Sequence, residues 1–151
     1  MSSTLVKIML HVVFSTRQRA PFIDAALKAD LYPYMATIAH QRGATVMALG
    51  GMPDHVHLLL RVKASHKLCD LVQAIKAIPS KWVHERPEPI PEFGWQTGYA
   101  AFSVSQSNEA RVRSYILNQE AHHRRSTFKN ELIGLLEKHQ VEYDPDHLFD
   151  V

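Results

Sequence analysis

The spacing of apolar residues changes several times along the 151-residue chain, and the order of these changes limits which folds it can adopt. Alternation with polar residues predicts a half-buried strand, whereas a repeat of three to four residues predicts a helix. Asp24, Ser107 or Asn108, and Thr127 are of the types that cap helix N-termini. The predicted elements are a strand at 5–14, a helix at 25–42, strands at 44–49 and 55–62 joined by turn residues 50–54, a helix containing Leu68, Leu71, Val72, Ile75 and Trp82, a strand at 95–104, a helix from 108 to about 125, and a helix after Thr127.

In order, these elements are β-α-β-β-α-β with two helices appended. This is the order of the ferredoxin-like (RRM-like) fold, an α+β architecture with two helices on one face of an antiparallel sheet. The other face is then exposed unless the appended helices cover it. Pro79 lies within the apolar repeat of the second helix, so we expect a kink or an early end there. A chain of this length is expected to form a single domain, 1–151.

The composition argues against several classes of protein. There is no run of about eighteen apolar residues to span a membrane, and 1–10 do not have the pattern of a secretory leader. Cys69 is the single cysteine, which excludes a disulfide framework and a multi-cysteine zinc site and suggests a cytoplasmic protein. A net charge of +2 is too small to indicate nucleic-acid binding, whereas ten histidines are many for this length.

Two of these histidines lie on the strand at 55–62. Val56, Leu58, Leu60 and Val62 form its apolar face, so His55, His57, Leu59 and Arg61 are predicted to lie on the face away from the first two helices. Two imidazoles one residue apart on a strand point the same way and can share a metal ion. Because ten histidines also produce this spacing by chance, a packing role stays open.

The helix after residue 108 carries a second polar group. Tyr115 and Gln119 are four residues apart and therefore neighbours, with His122 on the same stripe and His123 beside it. An ordinary amphipathic helix with a half-buried tyrosine would look similar. Beside a metal, however, a tyrosine phenolate can attack phosphorus and form a covalent phosphotyrosine. The basic residues that flank this stripe are Arg111, Arg113, Arg124 and Arg125.

Several segments together resemble a known family. Residues 52–59 (MPDHVHLL) contain a His-hydrophobic-His motif, and 11–17 (HVVFSTR), 95–105 (WQTGYAAFSVS) and 115–123 (YILNQEAHH) occur in family order, followed by Ser126, Thr127, Phe128 and Glu131. In this combination the chain resembles the HUH (His-hydrophobic-His) single-strand endonucleases, in particular the single-tyrosine IS200-type transposases of bacterial and archaeal insertion sequences. The segments cover nearly the whole chain.

The resemblance implies a DNA transposase with a ferredoxin-like fold. It implies that His55 and His57 bind Mg²⁺ or Mn²⁺ with Gln119 as the third ligand, and that Tyr115 is the nucleophile. Tyr115 would form a 5′-phosphotyrosine on single-stranded element ends that carry subterminal hairpins, and excision would pass through a single-stranded circle. It further implies a homodimer with composite active sites that acts in the cytoplasm at the nucleoid. The roles of His122 and His123, and whether Tyr115 acts within its own chain, stay open.

Residues 76–82 depart from the family pattern, because Pro79 interrupts a stretch that is basic and free of proline in relatives. His11 lies either beside the site or in a structural hydrogen bond.

Two other functions remain possible: a ferredoxin-like module that binds single-stranded nucleic acid without cutting it, and a small metal-dependent hydrolase that uses water. The basic residues expected to contact DNA are Arg17, Arg61, Lys63, Lys76, Lys81, Arg111, Arg124 and Arg125.

Overall fold

The structure, a computed structural model, describes residues 3–148. Within this part of the chain, no helix is long and apolar enough to cross a membrane. The elements are β1 (Ile8–Ser15), α1 (Ala25–Gln41), β2 (Thr45–Met52), β3 (His55–Val62), α2 (Leu68–Glu85), β4 (Ala100–Val104), α3 (Glu109–Leu117), α4 (Gln119–His123) and α5 (Phe128–Lys138), with short 3₁₀ turns at Arg17–Arg19, Gln106–Asn108 and Pro145–His147.

The four strands form one antiparallel sheet in the order β2-β3-β1-β4. The ferredoxin-like α+β prediction is therefore confirmed. One face of the sheet packs against α1 and α2, and burial of the apolar stripes of both helices stabilises this layer. Its buried residues include Val12, Phe14, Leu31, Met35, Leu58, Leu60 and Ile75.

The opposite face of the sheet is covered by α3, α4 and α5. Ile116 on α3 packs with Met9 and Leu59, and the apolar side of α5 packs against Val13 and Phe102. Of the two alternatives for this face, cover by the appended helices is the one that the structure confirms. The sheet is thus the middle of three layers, and side chains on this second face are enclosed.

Helix ends follow local chemistry at the predicted places. Asp24 Oδ1 accepts a hydrogen bond of 2.8 Å from the backbone N–H of Leu27 at the start of α1. Thr127 Oγ1 accepts one of 3.2 Å from Asn130 at the start of α5. These bonds satisfy donors that have no partner within the helix, and they confirm two of the three predicted caps. At the start of α3, the side chain of Asn108 makes no capping hydrogen bond.

Two predictions about element ends are wrong. Helix α2 continues through Pro79 to Glu85, because Ile75, Pro79 and Val83 are all buried on one stripe. A proline inside a helix costs about 3 kcal/mol, whereas each buried aliphatic side chain contributes roughly 1.5–3 kcal/mol. The last strand starts at Ala100, not 95, because Gly98 turns the chain with a φ of 87°.

Three further boundaries differ from the predictions. Strand β1 begins at Ile8, and β2 extends to Met52, so the turn after it shrinks to Pro53 and Asp54. The long helix predicted from 108 to about 125 divides into α3 and α4 at Asn118, whose φ and ψ are −108° and 29°. The division falls between Tyr115 and Gln119, the two residues expected to act together.

Gly50 on β2 allows α3 to approach the sheet closely. A Cβ at this position would collide with the backbone carbonyl oxygen of Ile116, the residue after Tyr115. We expect Gly50→Ala to lower the free energy of unfolding by about 1–3 kcal/mol, because helix and strand must separate. Gly134→Ala on α5 is the matched control: its Cβ meets nothing within 4 Å, and a helical alanine should add about 0.5–1 kcal/mol. Urea unfolding measures both, and equal stability of Gly50→Ala and wild type would contradict this packing.

Candidate metal and nucleophile site

The two histidines of the predicted motif open the central strand β3. His55 and His57 point to the face covered by α3–α5, with ring centroids 5.2 Å apart. Their side chains are 1% and 0% exposed. The strand has placed both imidazoles on one face, as expected, but in an enclosed interior.

Each imidazole is fixed through its Nδ1 atom. His55 Nδ1 lies 2.7 Å from Asp54 Oδ1, in the turn between β2 and β3. His57 Nδ1 lies 2.8 Å from Nε2 of His11, on the neighbouring strand β1. His11 therefore lies beside the histidine pair and is also hydrogen-bonded to it, so both placements left open for His11 are met. Both Nε2 atoms are left facing the helices.

A carboxylate from α5 meets these Nε2 atoms. Glu131 Oε1 lies 3.0 Å from Nε2 of His57, 3.4 Å from Nε2 of His55 and 3.1 Å from Nε2 of His123. Glu131 is buried, at 5% exposure. Three imidazoles therefore converge on one oxygen atom.

Gln119 supplies a second oxygen at the same place. Its Oε1 lies 3.3 Å from Nε2 of His55 and 3.0 Å from Nε2 of His123. Its amide nitrogen donates to the backbone carbonyl of Tyr115 at 3.3 Å, which fixes the orientation of the amide. Gln119 is almost completely buried. The structure thus brings the predicted third ligand within reach of His55.

The hydrogen-bonding pattern of these side chains requires a positive charge between them. Both nitrogens of His55 face oxygen atoms that only accept, and the same holds for His123, whose Nδ1 donates to the carbonyl of Ser126 at 2.8 Å. A neutral imidazole has one donor and one acceptor nitrogen, so it cannot satisfy this arrangement. Either protons or a metal cation must lie at Nε2, and the residues therefore fit a divalent ion. Asp54 behind His55 is the arrangement that orients metal-binding histidines.

The hydroxyl of Tyr115 joins the site from α3. It donates to Oε2 of Glu131 and lies 3.5 Å from Nε2 of His122. Burial, followed by the Glu131 carboxylate, raises the pKa of Tyr115 well above its usual value. The phenol is therefore neutral at pH 7 and hydrogen-bonded, and all these groups belong to one chain.

The pKa of His55 is raised, whereas those of His11 and His57 are lowered. Burial opposes a charge on His55, but the hydrogen bonds to Asp54 and Glu131 outweigh it and raise the pKa of His55 to about 9. Burial, followed by the charge of His57, lowers the pKa of His11 to about 3, and burial also lowers the pKa of His57. Glu131 is itself buried, but the histidines around it hold its pKa far below the usual range.

Two depressions lie on either side of the cluster. One, of about 350 Å³, is lined by Tyr115, Glu131, Arg111 and Lys138. The other, of about 710 Å³, is lined by Asp54, His123, Arg124 and Arg125. Three of the basic residues expected to contact DNA, Arg111, Arg124 and Arg125, therefore border the site.

The other basic residues expected to contact DNA have different surroundings. Lys76 Nζ donates to the backbone carbonyls of Gln96 and Gly98 at 2.7 and 2.6 Å, and burial lowers its pKa to about 8. Lys81 is an exposed residue of α2, paired with Glu85 at 3.9 Å. Arg61 and Lys63 line a depression at the far end of β3, and Arg17 packs against Gly94. None of these five residues lines either of the two depressions beside the site.

Sequence reasoning left the second half of the site unassigned. Glu131 received no role and Asp54 was read only as a turn residue, while His123 had no settled function. A signal for Glu131 was present, because it lies on the apolar stripe of α5 with Phe128, Leu132 and Leu135. An acidic residue on such a stripe must be buried, and a buried carboxylate needs a partner. Five of the ten histidines belong to this cluster: His11, His55, His57, His122 and His123.

Comparison with known proteins identifies the class to which this fold and site belong. Residues 4–119 match the family model described as IS200-like transposase. The matched segment includes all four strands, the histidine pair and Tyr115, and ends at Gln119. The chain therefore belongs to the IS200-like transposase family.

Among particular relatives, the chain is 27% identical over 114 residues to the ISDra2 transposase TnpA of Deinococcus radiodurans, covering 72% of this chain and 81% of the relative. A crystal structure of a candidate transposase from Deinococcus radiodurans R1 is similar, with a TM-score of 0.63 and 27% identity, over 79% of this chain and 95% of that one. A REP-associated tyrosine transposase bound to a REP hairpin shares the fold, with a TM-score of 0.63 at 14% identity over 96% and 93% of the two chains.

The Asp54–His55 hydrogen bond leads to a prediction for the metal-free protein. Asp54→Asn should lower the pKa of His55 from about 9, because a neutral amide stabilises the imidazolium less than a carboxylate does. Charged His55 stabilises the fold below the unfolded-state pKa of about 6.5, and this contribution is lost as the pH rises through about 9. NMR titration of the ring resonances measures the shift, with exposed Asp70→Asn as the control. An unchanged His55 titration would contradict the assigned bond.

Proposed function

We propose that this protein is a single-strand DNA transposase whose nucleophile is Tyr115. The observation that carries the proposal is the convergence of a tyrosine hydroxyl, two strand histidines and acidic and amide oxygens in one buried cluster. Membership of the IS200-like family supports the same function. An isolated amphipathic helix would not explain why the Tyr115 hydroxyl contacts a carboxylate that also meets both motif histidines.

In the proposed reaction, the phenol oxygen of Tyr115 attacks a backbone phosphorus. A P–O bond forms to tyrosine as the P–O3′ bond breaks, which yields a 5′-phosphotyrosine and a free 3′-hydroxyl. The phenol proton leaves toward Glu131 or His122, the groups nearest to that oxygen. Attack of a 3′-hydroxyl on the phosphotyrosine then reverses the step and rejoins the strand, so cleavage and joining need no external energy source.

His55 and His57 would hold a divalent ion through their Nε2 atoms, with the Gln119 amide oxygen as third ligand. His11 Nε2 can accept a hydrogen bond from His57 Nδ1 as well as donate one. When it accepts, the proton of His57 is on Nδ1 and its Nε2 has a free lone pair. When bound, the ion supplies polarisation of the scissile phosphate and neutralises charge on the leaving oxygen. A set of nitrogen and oxygen donors suits Mn²⁺ as well as Mg²⁺.

The proposed substrates are single-stranded element ends with subterminal hairpins. The basic depressions beside the cluster support this choice, since Arg111 borders the nucleophile and Arg124 and Arg125 border the histidines. The structural neighbour bound to a REP hairpin supports hairpin recognition. Excision through a single-stranded circle and rejoining at a target would follow, in the cytoplasm of a bacterial or archaeal cell.

Homodimerisation is also part of this proposal, because the family resemblance implies it. The geometry favours a site completed within each chain, since Tyr115, Glu131 and both motif histidines contact one another within the described residues. We therefore propose that Tyr115 acts on the ion site of its own chain, whatever the assembly state. Composite sites shared between protomers are the alternative.

The central test of function is a covalent adduct. Wild-type protein, Mn²⁺ and a labelled hairpin-bearing single strand should give a protein–DNA adduct that survives denaturing electrophoresis. Tyr115→Phe should abolish the adduct because the attacking oxygen is missing, while DNA binding in a filter assay is retained. Tyr143→Phe is the matched control, since its hydroxyl contacts Glu137 outside the site and adduct yield should not change.

Other outcomes of this experiment support different functions. Strand cleavage that persists in Tyr115→Phe would indicate a water nucleophile and a metal-dependent hydrolase. Binding without cleavage of any hairpin strand, by wild type as well as the variant, would indicate a binding module. His57→Ala should lose cleavage, and normal cutting by this variant would refute the metal assignment.

A further inference from the structure

The segment that matches the family ends at Gln119, yet the cluster does not. His122, His123 and Glu131 lie beyond it, on α4 and α5, and all three contact the motif histidines, Gln119 or Tyr115. The matched segment alone supplies two imidazoles, an amide and a tyrosine. Family membership therefore does not account for the contacts that residues 120–131 add to the cluster.

Glu131 is the one carboxylate enclosed in the cluster among the described residues. It lies on the apolar stripe of α5 next to Phe128 and Leu132, where its side chain cannot reach water. Moving a carboxylate into such a place costs several kcal/mol unless cationic partners surround it. A charge held there at this cost is expected at sites that use it.

The separations around Oε1 of Glu131 match those of neighbouring ligands on one ion. Donor atoms about 2.1 Å from a metal lie roughly 3.0–3.5 Å from each other at right or tetrahedral angles. Oε1 lies 3.0 Å from Nε2 of His57 and 3.4 Å from Nε2 of His55. These three atoms all lie within 4.8 Å of one another.

The other oxygen of Glu131 faces the nucleophile. Oε2 accepts the Tyr115 hydroxyl and lies 3.4 Å from Nε2 of His122. His123 bonds both to Oε1 of Glu131 and to Oε1 of Gln119, so it holds the two oxygens side by side. The two ends of one carboxylate thus lie at the histidine pair and at the attacking oxygen.

We propose that Glu131 is a direct ligand of the divalent ion through Oε1, together with His55 and His57. This inference rests on the proposed function and deepens it: the site has a charged ligand from α5 in addition to the Gln119 amide. Its ligands, two imidazoles, a carboxylate and an amide oxygen, favour a transition ion such as Mn²⁺ over Mg²⁺. The ion would then lie beside Tyr115 because one residue contacts both.

The test measures metal binding rather than activity. Titration calorimetry with Mn²⁺ should show at least about a tenfold loss of affinity in Glu131→Gln, which keeps the side-chain shape but removes the charge. The control is Glu137→Gln on the exposed side of the same helix, which should bind as wild type does. Glu131→Asp keeps the charge and is expected to bind more tightly than Glu131→Gln.

A spectroscopic measurement separates a ligand from a neighbouring structural charge. With Co²⁺ in place of Mn²⁺, the visible absorption bands report the atoms bound to the ion. Glu131→Gln should change their position and intensity, whereas Glu137→Gln should not. Circular dichroism melting checks that each variant is folded. If Glu131→Gln unfolds, the Mn²⁺ affinity and Co²⁺ spectrum of Glu131→Asp are compared with those of wild type instead.

The results distinguish this inference from the proposed function. If Glu131→Gln and Glu131→Asp bind Mn²⁺ with wild-type affinity and unchanged Co²⁺ spectra while His57→Ala loses binding, Glu131 is a structural charge and the inference is wrong. If His57→Ala also binds normally and Tyr115→Phe still forms an adduct, the proposed function itself fails. Weakened binding in Glu131→Gln and a changed Co²⁺ spectrum support the ligand.

Discussion

The packing of α3–α5 on the sheet depends on one electrostatic requirement. Buried imidazoles face buried oxygens that only accept hydrogen bonds, so positive charge must lie between them. His55 and His123 face acceptors on both ring nitrogens, and Glu131 adds a full negative charge between them. In a low-dielectric interior the loss of one partner leaves an uncompensated charge, which costs about 3–5 kcal/mol. Helix α5 is therefore fixed on the sheet by its charge as well as by its apolar stripe.

The sheet separates stability from chemistry. The layer formed with α1 and α2 is apolar and contains the large core residues, such as Phe14, Leu31 and Met35. The layer formed with α3–α5 has only small apolar clusters and contains the histidine pair, Gln119 and Glu131. Because β3 belongs to both layers, its alternating side chains connect the core on one face to the histidine pair on the other.

The sequence predicted those features that depend on local periodicity. Alternation along 55–62 correctly assigned His55 and His57 to the second face, and the order of elements correctly predicted the sheet. The early end expected at Pro79 is wrong because the burial of Val83 is a tertiary effect that local rules omit. The role of Glu131 could not be read from spacing, since it lies 74 residues from His57 and meets it only through the packing of α5.

The central claim is that one chain assembles the complete site, with Tyr115 beside its own His55, His57 and Glu131. The most direct measurement mixes Tyr115→Phe protein with His57→Ala protein and follows adduct formation, with differently tagged chains to monitor subunit exchange. If the site is built within one chain, mixing restores no adduct beyond the sum of the separate variants. An adduct yield that rises with the fraction of mixed dimers would contradict the claim and show that protomers share their sites.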